Sequence, residues 1–288
     1  MRFSRFRLQC DNRSCSERRR VWRTILNPYP GVMLHGQWLC SPECLEQVMN
    51  GLVERLMANA PAEQVNKTHR FPLGLLMLSL GFIGNESLQK ALHAQREAGK
   101  GRVGEWLREQ GVVTEPQVTR ALAMQWALPV YPLDKLDQHL DWARLVPLGL
   151  LESYRMLPVH CAPDSGLLHV AFSNKVDYTV LNSIEQMLDC RTEPCIAQQS
   201  QIDSFLERLR QESCSTDVAS EEPVEPSSVS RVALRYVLKF GAREVRIVGC
   251  GQNIWARLYT PDGARDLLFR CSVGNANPTL DDLIMPQK

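Results

Sequence analysis

No stretch of this 288-residue chain is apolar for long enough to cross a bilayer. The longest apolar run, Phe71 to Ile83, is interrupted by two glycines and falls short of the roughly 20 residues that a spanning helix needs. The N-terminal MRFSRFRLQC has no apolar h-region, so no secretory signal is expected. Net charge is scarce as well. Thirty-three Lys and Arg against 32 Asp and Glu leave +1, which argues against bulk electrostatic binding to nucleic acid while leaving room for a local basic patch. The phosphate-cradling string G-x-x-x-x-G-K-[ST] is absent. Its nearest approximation, AGKGRVG at 98–104, lacks both the first glycine and the hydroxyl residue that holds Mg²⁺. Hydrolysis of ATP by these residues is therefore not expected, and no other catalytic constellation is legible. His160 beside Cys161 has the residue types of a nucleophile pair, but neighbours in a strand face opposite ways, so a structural role is the expectation.

Cysteine, by contrast, is plentiful: there are ten. Without a signal peptide they point to a reducing, cytoplasmic setting, where spaced pairs are more often metal ligands than disulfides. Cys10 and Cys15 form C-x4-C, and Cys40 and Cys44 form C-x3-C. Two such pairs suit tetrahedral Zn²⁺ with all four positions filled by protein, which makes the site structural rather than catalytic. Ser41 and Pro42 open a helix, with the proline where its missing N–H is harmless. One knuckle in a loop and one at a helix start gives a treble-clef-like module over residues 1–62. Zinc would stabilise it by on the order of 10 kcal/mol. His35 could replace one cysteine. The alternative is four ordinary cysteines. Arginines at 2, 5, 7, 13, 18, 19, 20 and 23 surround the module. They read either as phosphate contacts to RNA or DNA or as solvated charges offsetting four thiolates. The second is simpler, because no aromatic-interleaved helix face accompanies them.

The chain also repeats itself. PLGLLMLSLGFIGNESLQKALHAQ at 72–95 aligns with RVGEWLREQGVVTEPQVTRALAMQ at 102–125. The alignment sets Gly74 on Gly104, Gly81 on Gly111, Leu88 on Val118, Leu92 on Leu122 and Gln95 on Gln125. Such agreement signals internal duplication. Each copy parses as a short helix, a glycine stop and a second helix; Thr114 and Gln117 make a capping box. Two packed helical hairpins explain the aliphatic positions. They leave open why Gln95 and Gln125 close the same face, and why Gly74 and Gly104 sit just inside a helix, where glycine is unfavourable unless something approaches the backbone closely. Matched sites related by a pseudo-twofold suit a symmetric ligand. Glycine-bearing helix starts favour phosphate, and a Gln amide or an Arg fork can meet a base edge.

This pattern, Arg-Leu-Gly-x-x-Leu-x-x-x-Gly-Leu-Ile, four residues, Leu-x-x-x-Leu-x-x-Gln, resembles the MshEN domain. That is the N-terminal domain of the GspE/PilB-type ATPases of type II secretion and type IV pilus assembly. The resemblance implies cyclic di-GMP binding. In the first copy it falls on Leu73, Gly74, Met77, Gly81, Leu88, Leu92 and Gln95. In the second it falls on Arg102, Val103, Gly104, Leu107, Gly111, Val118, Leu122 and Gln125. The leading arginine is present as Arg102, whereas Pro72 stands at its place in the first copy and Arg70 is the nearest guanidinium. The passage Pro147, Leu150, Leu151, Tyr154, Leu157, Pro158 continues the likeness. VALRYVLKFGAREVRIVG with Arg257, Asp262 and Gly263 resembles the segment that precedes the ATPase core.

The expected fold class is α+β and multidomain. A four-cysteine zinc-binding module at 1–62 would precede a tandem-repeat helical MshEN-like subdomain at 66–135 and a small α/β subdomain at 136–212. A Ser/Glu/Pro-rich flexible linker at 213–228 would lead to a degenerate pre-ATPase α/β fragment at 229–288. The expected function is that of a non-catalytic cytoplasmic regulator or adaptor. It would bind Zn²⁺ and cyclic di-GMP and partner a secretion or pilus protein. The rivals are a scaffold that has lost its nucleotide site and a nucleic-acid binder using the Arg-rich module.

Overall fold

In the computed structural model the described residues are 9–15, 31–59, 70–133, 140–162, 164–212 and 218–271. Elements run in the order β1 (Val32–Leu34), β2 (Gln37–Leu39) and helix α1 (Pro42–Ala58). The repeat helices are α2 (Leu73–Ser79), α3 (Asn85–Ala98), α4 (Val103–Glu109) and α5 (Glu115–Trp126). Then come α6 (Leu140–Ala143), α7 (Leu148–Tyr154), β3 (Met156–Ala162), β4 (Leu167–Phe172), α8 (Tyr178–Leu188), β5 (Arg191–Ile196) and α9 (Gln199–Glu212). The chain continues through β6 (Val218–Val224), α10 (Pro226–Phe240), β7 (Glu244–Cys250), β8 (Asn253–Thr260) and β9 (Gly263–Cys271). The protein is mixed α+β, and none of these helices is long and apolar enough to cross a membrane.

These elements form two compact units, residues 1–62 with 217–288 and residues 63–216. The first departs from the expected order of separate modules, because its two ends share one sheet in the order β2-β1-β7-β8-β9-β6. Strand β1 pairs parallel with β7, and Leu34 sits opposite Val245. Helices α1 and α10 supply Leu45, Met49, Val53, Val229, Ala233 and Val237 to a core that also holds Val245, Ile254 and Phe269. The physical reason is area. Two three-residue strands cannot cover the apolar face of a 17-residue helix, and the open edge of β7 offers both hydrogen bonds and an apolar surface. The stretch read as a linker differs too: Val218–Val224 is a strand parallel to β9, and α10 already starts at Pro226. Ser, Glu and Pro signal a linker by composition, but β6 is an edge strand, where a proline such as Pro223 removes no needed ladder bond.

The second unit joins the repeat to a three-stranded sheet in the order β3-β4-β5. Strand β4 runs antiparallel to β3 and parallel to β5, and Pro194 again occupies an edge strand. The first helix of each copy packs on the second helix of the other, α2 on α5 and α4 on α3. Met77, Leu88, Ala91, Leu107 and Ala121 meet in their shared core. Helix α5 packs on β5, and residues 129–131 extend that edge through Tyr131 N–H to Ile196 O at 2.8 Å and Ile196 N–H to Pro129 O at 2.9 Å.

Candidate functional site

The repeat's fixed residues divide into packing and surface roles. Gly81 and Gly111 have φ of +70° and +69°. They close α2 and α4 with matching bonds, Phe82 N–H to Met77 O and Val112 N–H to Leu107 O, both 3.0 Å, the Schellman arrangement. Gly74 and Gly104 are explained by side chains of their own copies. A Cβ on Gly74 would lie 2.6 Å from Leu88 Cδ1, and one on Gly104 would lie 3.2 Å from Val118 Cγ1. Because Leu88 and Val118 are matched positions, the glycine serves close helix packing in both copies. The glutamines act crosswise. Gln95 Nε2 donates to Gly101 O at 2.8 Å, just ahead of α4, and Gln125 Nε2 donates to Phe71 O at 2.8 Å, just ahead of α2. Each copy's last helical face thus holds the segment that enters the first helix of the other.

A cavity of about 330 Å³ opens on the second copy. Arg102, Val103, Gly104, Val118, Leu122 and Gln125 line it, with Leu73 from the first copy. Arg70, Gly74, Gly81, Leu88, Leu92, Gln95, Leu107 and Gly111 are not among its lining residues. Leu88 and Leu107 are buried core, Leu92 packs against that core, and the Arg70 guanidinium carbon lies 3.0 Å from the Trp126 ring centroid. Glu105, Arg108, Glu115, Thr119 and Trp126 line the cavity too, as do Ser173, Asn174, Lys175 and Gln199 of the α/β part. Sequence periodicity misses the second group because it lies about 50 residues or more beyond the motif. The available signal is topological: these residues follow the carboxyl ends of the parallel strands β4 and β5, where α/β sheets form crevices.

Charges around the cavity are partly spoken for. Glu105 Oε2 accepts from Arg102 N–H at 3.0 Å, so it caps α4. Glu115 accepts from Ser200 N–H at 2.8 Å and Ser200 Oγ–H at 2.7 Å, and Arg108 lies 3.5 Å from it. Glu115 therefore ties the second copy to the start of α9.

In the other unit, the sulfurs of Cys10, Cys15, Cys40 and Cys44 all lie within 4.8 Å of one another. Cys15 to Cys40 is 3.6 Å and Cys40 to Cys44 is 4.0 Å. A tetrahedron with Zn–S of about 2.3 Å requires sulfurs roughly 3.8 Å apart, so these residues fit a Zn²⁺ ion. Ser41 caps α1, accepting from Cys44 N–H at 3.3 Å. Burial and hydrogen bonding to Cys15 and Cys10 push the Cys40 thiol well above its ordinary range. At Cys44 burial also acts upward, but hydrogen bonds from Ser41, Asn12 and the other thiols outweigh it and hold the group low. His35 is not part of the cluster. It begins a two-residue hairpin turn, both residues with positive φ, and its Nε2 accepts from Ile247 N–H at 2.9 Å, tying β1 to β7. Of the arginine arm only Arg13 is among the described residues.

Two other sequence candidates are structural. Arg257, 5% exposed, is locked to Asp266 by bonds of 2.7 and 2.6 Å, and Trp255 Nε1 donates to the same carboxylate at 2.7 Å. The His160 ring stacks on His169 at 5.8 Å.

Residues 126–215 match the family model of the MshEN domain. The match begins one residue after Gln125, so it falls on the α/β part, while the duplicated motif lies just ahead of it. The MshEN-matching chain is 26% identical over 122 residues to the type IV pilus assembly ATPase PilB of Thermus thermophilus, covering 42% of this chain and 14% of that protein. It is 27% identical over 136 residues to PilB of Myxococcus xanthus, covering 47% of this chain and 24% of that one. The chain thus spans a quarter or less of these relatives. Among solved structures it is similar to MshE with cdg (29% identity, TM-score 0.41, 48% of this chain and 99% of that). It is also similar to the N-terminal domain of XpsE (18%, TM-score 0.36, 47% and 92%). The chain therefore resembles the N-terminal region of secretion and pilus ATPases.

Proposed function

We propose that this protein is a non-catalytic, cytoplasmic regulator or adaptor of type II secretion or type IV pilus machinery that binds cyclic di-GMP through its second repeat copy. The observation that carries the reading is the cavity on that copy. It brings the motif's Arg102, Val103, Gly104, Leu122 and Gln125 to one concave surface, beside a segment that matches the MshEN domain. Arg102 can fork to a guanine edge or a phosphate oxygen, and the aliphatic floor of Val103, Val118 and Leu122 can receive a base face. Cys10, Cys15, Cys40 and Cys44 hold a structural Zn²⁺, which cross-links the loop at 10–15 to the start of α1 and leaves no open coordination position.

A specific feature favours a second reading, a pure protein scaffold. In the first copy Pro72 replaces the motif arginine, and Phe71 and Leu75 are 55% and 45% exposed. Isothermal titration of the full chain with cyclic di-GMP, with GTP as control, separates the two. Saturable, selective binding that falls at least tenfold in Arg102→Ala is the expected result. A folded chain that gives no heat with cyclic di-GMP leaves the scaffold. Metal analysis of the purified chain tests the centre independently: about one zinc per chain is expected, and its loss in Cys40→Ser.

A further inference from the structure

Three cations line the cavity, Arg102, Arg108 and Lys175. Arg108 already faces Glu115. Neither the Arg102 guanidinium nor the Lys175 ammonium is ion-paired among the described residues, and both residues are exposed. They come from unlike places. Arg102 stands at the N-cap position of the first helix of the second copy. Lys175 follows the carboxyl end of β4, in the Ser173-Asn174-Lys175 turn before α8. The lining carboxylates are engaged elsewhere, Glu105 by Arg102 N–H and Glu115 by Ser200 and Arg108, and the three cations and two carboxylates of the lining sum to +1.

We propose that Lys175 is a second anion contact of this cavity, so that a phosphodiester-bearing ligand bridges the repeat and the α/β part through Arg102 and Lys175. This rests on the reading that the cavity takes cyclic di-GMP. The ligand class it specifies is a dinucleotide or other anion with phosphate oxygens on two sides, not a neutral base or nucleoside. Two unpaired cations on one concave surface repel each other and attract a shared anion, and a hydrogen bond from a charged donor is among the stronger ones available. Both side chains are exposed, so their attraction for the anion is screened by salt. The bridging would also add to the latch that Glu115 makes with Ser200, so occupancy would stiffen the junction between the two parts of this unit.

The test is titration of the full chain and of Lys175→Gln, Lys175→Arg and Arg102→Ala with cyclic di-GMP and, separately, with inorganic pyrophosphate, at low and at physiological ionic strength. Thermal unfolding monitors the fold; an exposed lysine should leave it unchanged. Lys175→Gln should weaken cyclic di-GMP binding roughly tenfold and flatten its salt dependence, while Lys175→Arg retains most of the affinity. Full affinity in Lys175→Gln alongside loss in Arg102→Ala overturns the bridge and leaves the nucleotide reading standing. Pyrophosphate binding that depends on Lys175, with no cyclic di-GMP binding, supports the bridge and removes the nucleotide reading. Binding of neither probe overturns both.

Discussion

In the first repeat copy Phe71, Pro72, Leu75 and Leu78 stand where the second has Gly101, Arg102, Glu105 and Arg108. The packing positions match: Met77 and Leu107 are both buried, as are Gly74 and Gly104, and positions 72 and 102 are both exposed, whereas Leu75 is exposed where Glu105 is half-buried and Leu78 is half-buried where Arg108 is exposed. Duplication has therefore kept one packing scheme and let the outer faces diverge, one apolar and one charged. The lesson is that the motif's glycines and leucines report the fold of the hairpin pair, and only the variable surface positions report whether a copy can meet an anion.

The largest effects should be symmetric. Met77→Ala and Leu107→Ala each empty a matched core position and should each lower unfolding free energy by about 2–5 kcal/mol, read by urea denaturation. A near-neutral result at one of them would mean that the two copies do not pack alike.

The next effects should be asymmetric. Pro72 and Arg102 both precede their helices with extended backbone, at ψ of 132° and 148°, so Pro72→Arg gives the first copy its missing guanidinium without disturbing the chain. On a working second copy it should tighten cyclic di-GMP binding a few-fold, by about 1 kcal/mol, and it should recover part of what Arg102→Ala loses. If titration finds Pro72→Arg without effect in both backgrounds, the apolar face of the first copy lies off the ligand path and belongs to another contact.

Local chemistry makes much of this legible in the sequence. The Ser41-Pro42 start, the Thr114–Gln117 capping box and the glycine stops depend on residues within one turn, and all appear where the sequence puts them. The thiol cluster was legible because loop spacing alone brings two pairs of sulfurs together. What was hidden depends on distant partners. Gly74 and Gly104 suggest an approaching ligand until Leu88 and Val118 are seen against them. His35 looks like a spare zinc ligand until β7, more than 200 residues later, offers the Ile247 backbone. Val218–Val224 carries a linker's composition, and only the free edge of β9 makes it a strand. Lys175 belongs to no motif and enters the site through the β4–β5 crossover.

The finest discrimination comes from the glutamines. Gln95→Ala and Gln125→Ala each delete one bond from a half-buried amide to a backbone carbonyl, so each should lower stability by about 0.5–1.5 kcal/mol. Their consequences for the ligand should differ. Gln125 lines the cavity and Gln95 does not, although Gln95 positions Gly101, the residue before Arg102. Gln125→Ala should therefore weaken cyclic di-GMP binding at every salt concentration, whereas Gln95→Ala should act only through the mobility of Arg102 and lose less affinity. Measuring both stability and affinity in the two variants separates the shared packing role from the unshared binding role. Equal affinity losses in the two would mean that both copies face the ligand and that the asymmetry of the outer surface does not govern recognition.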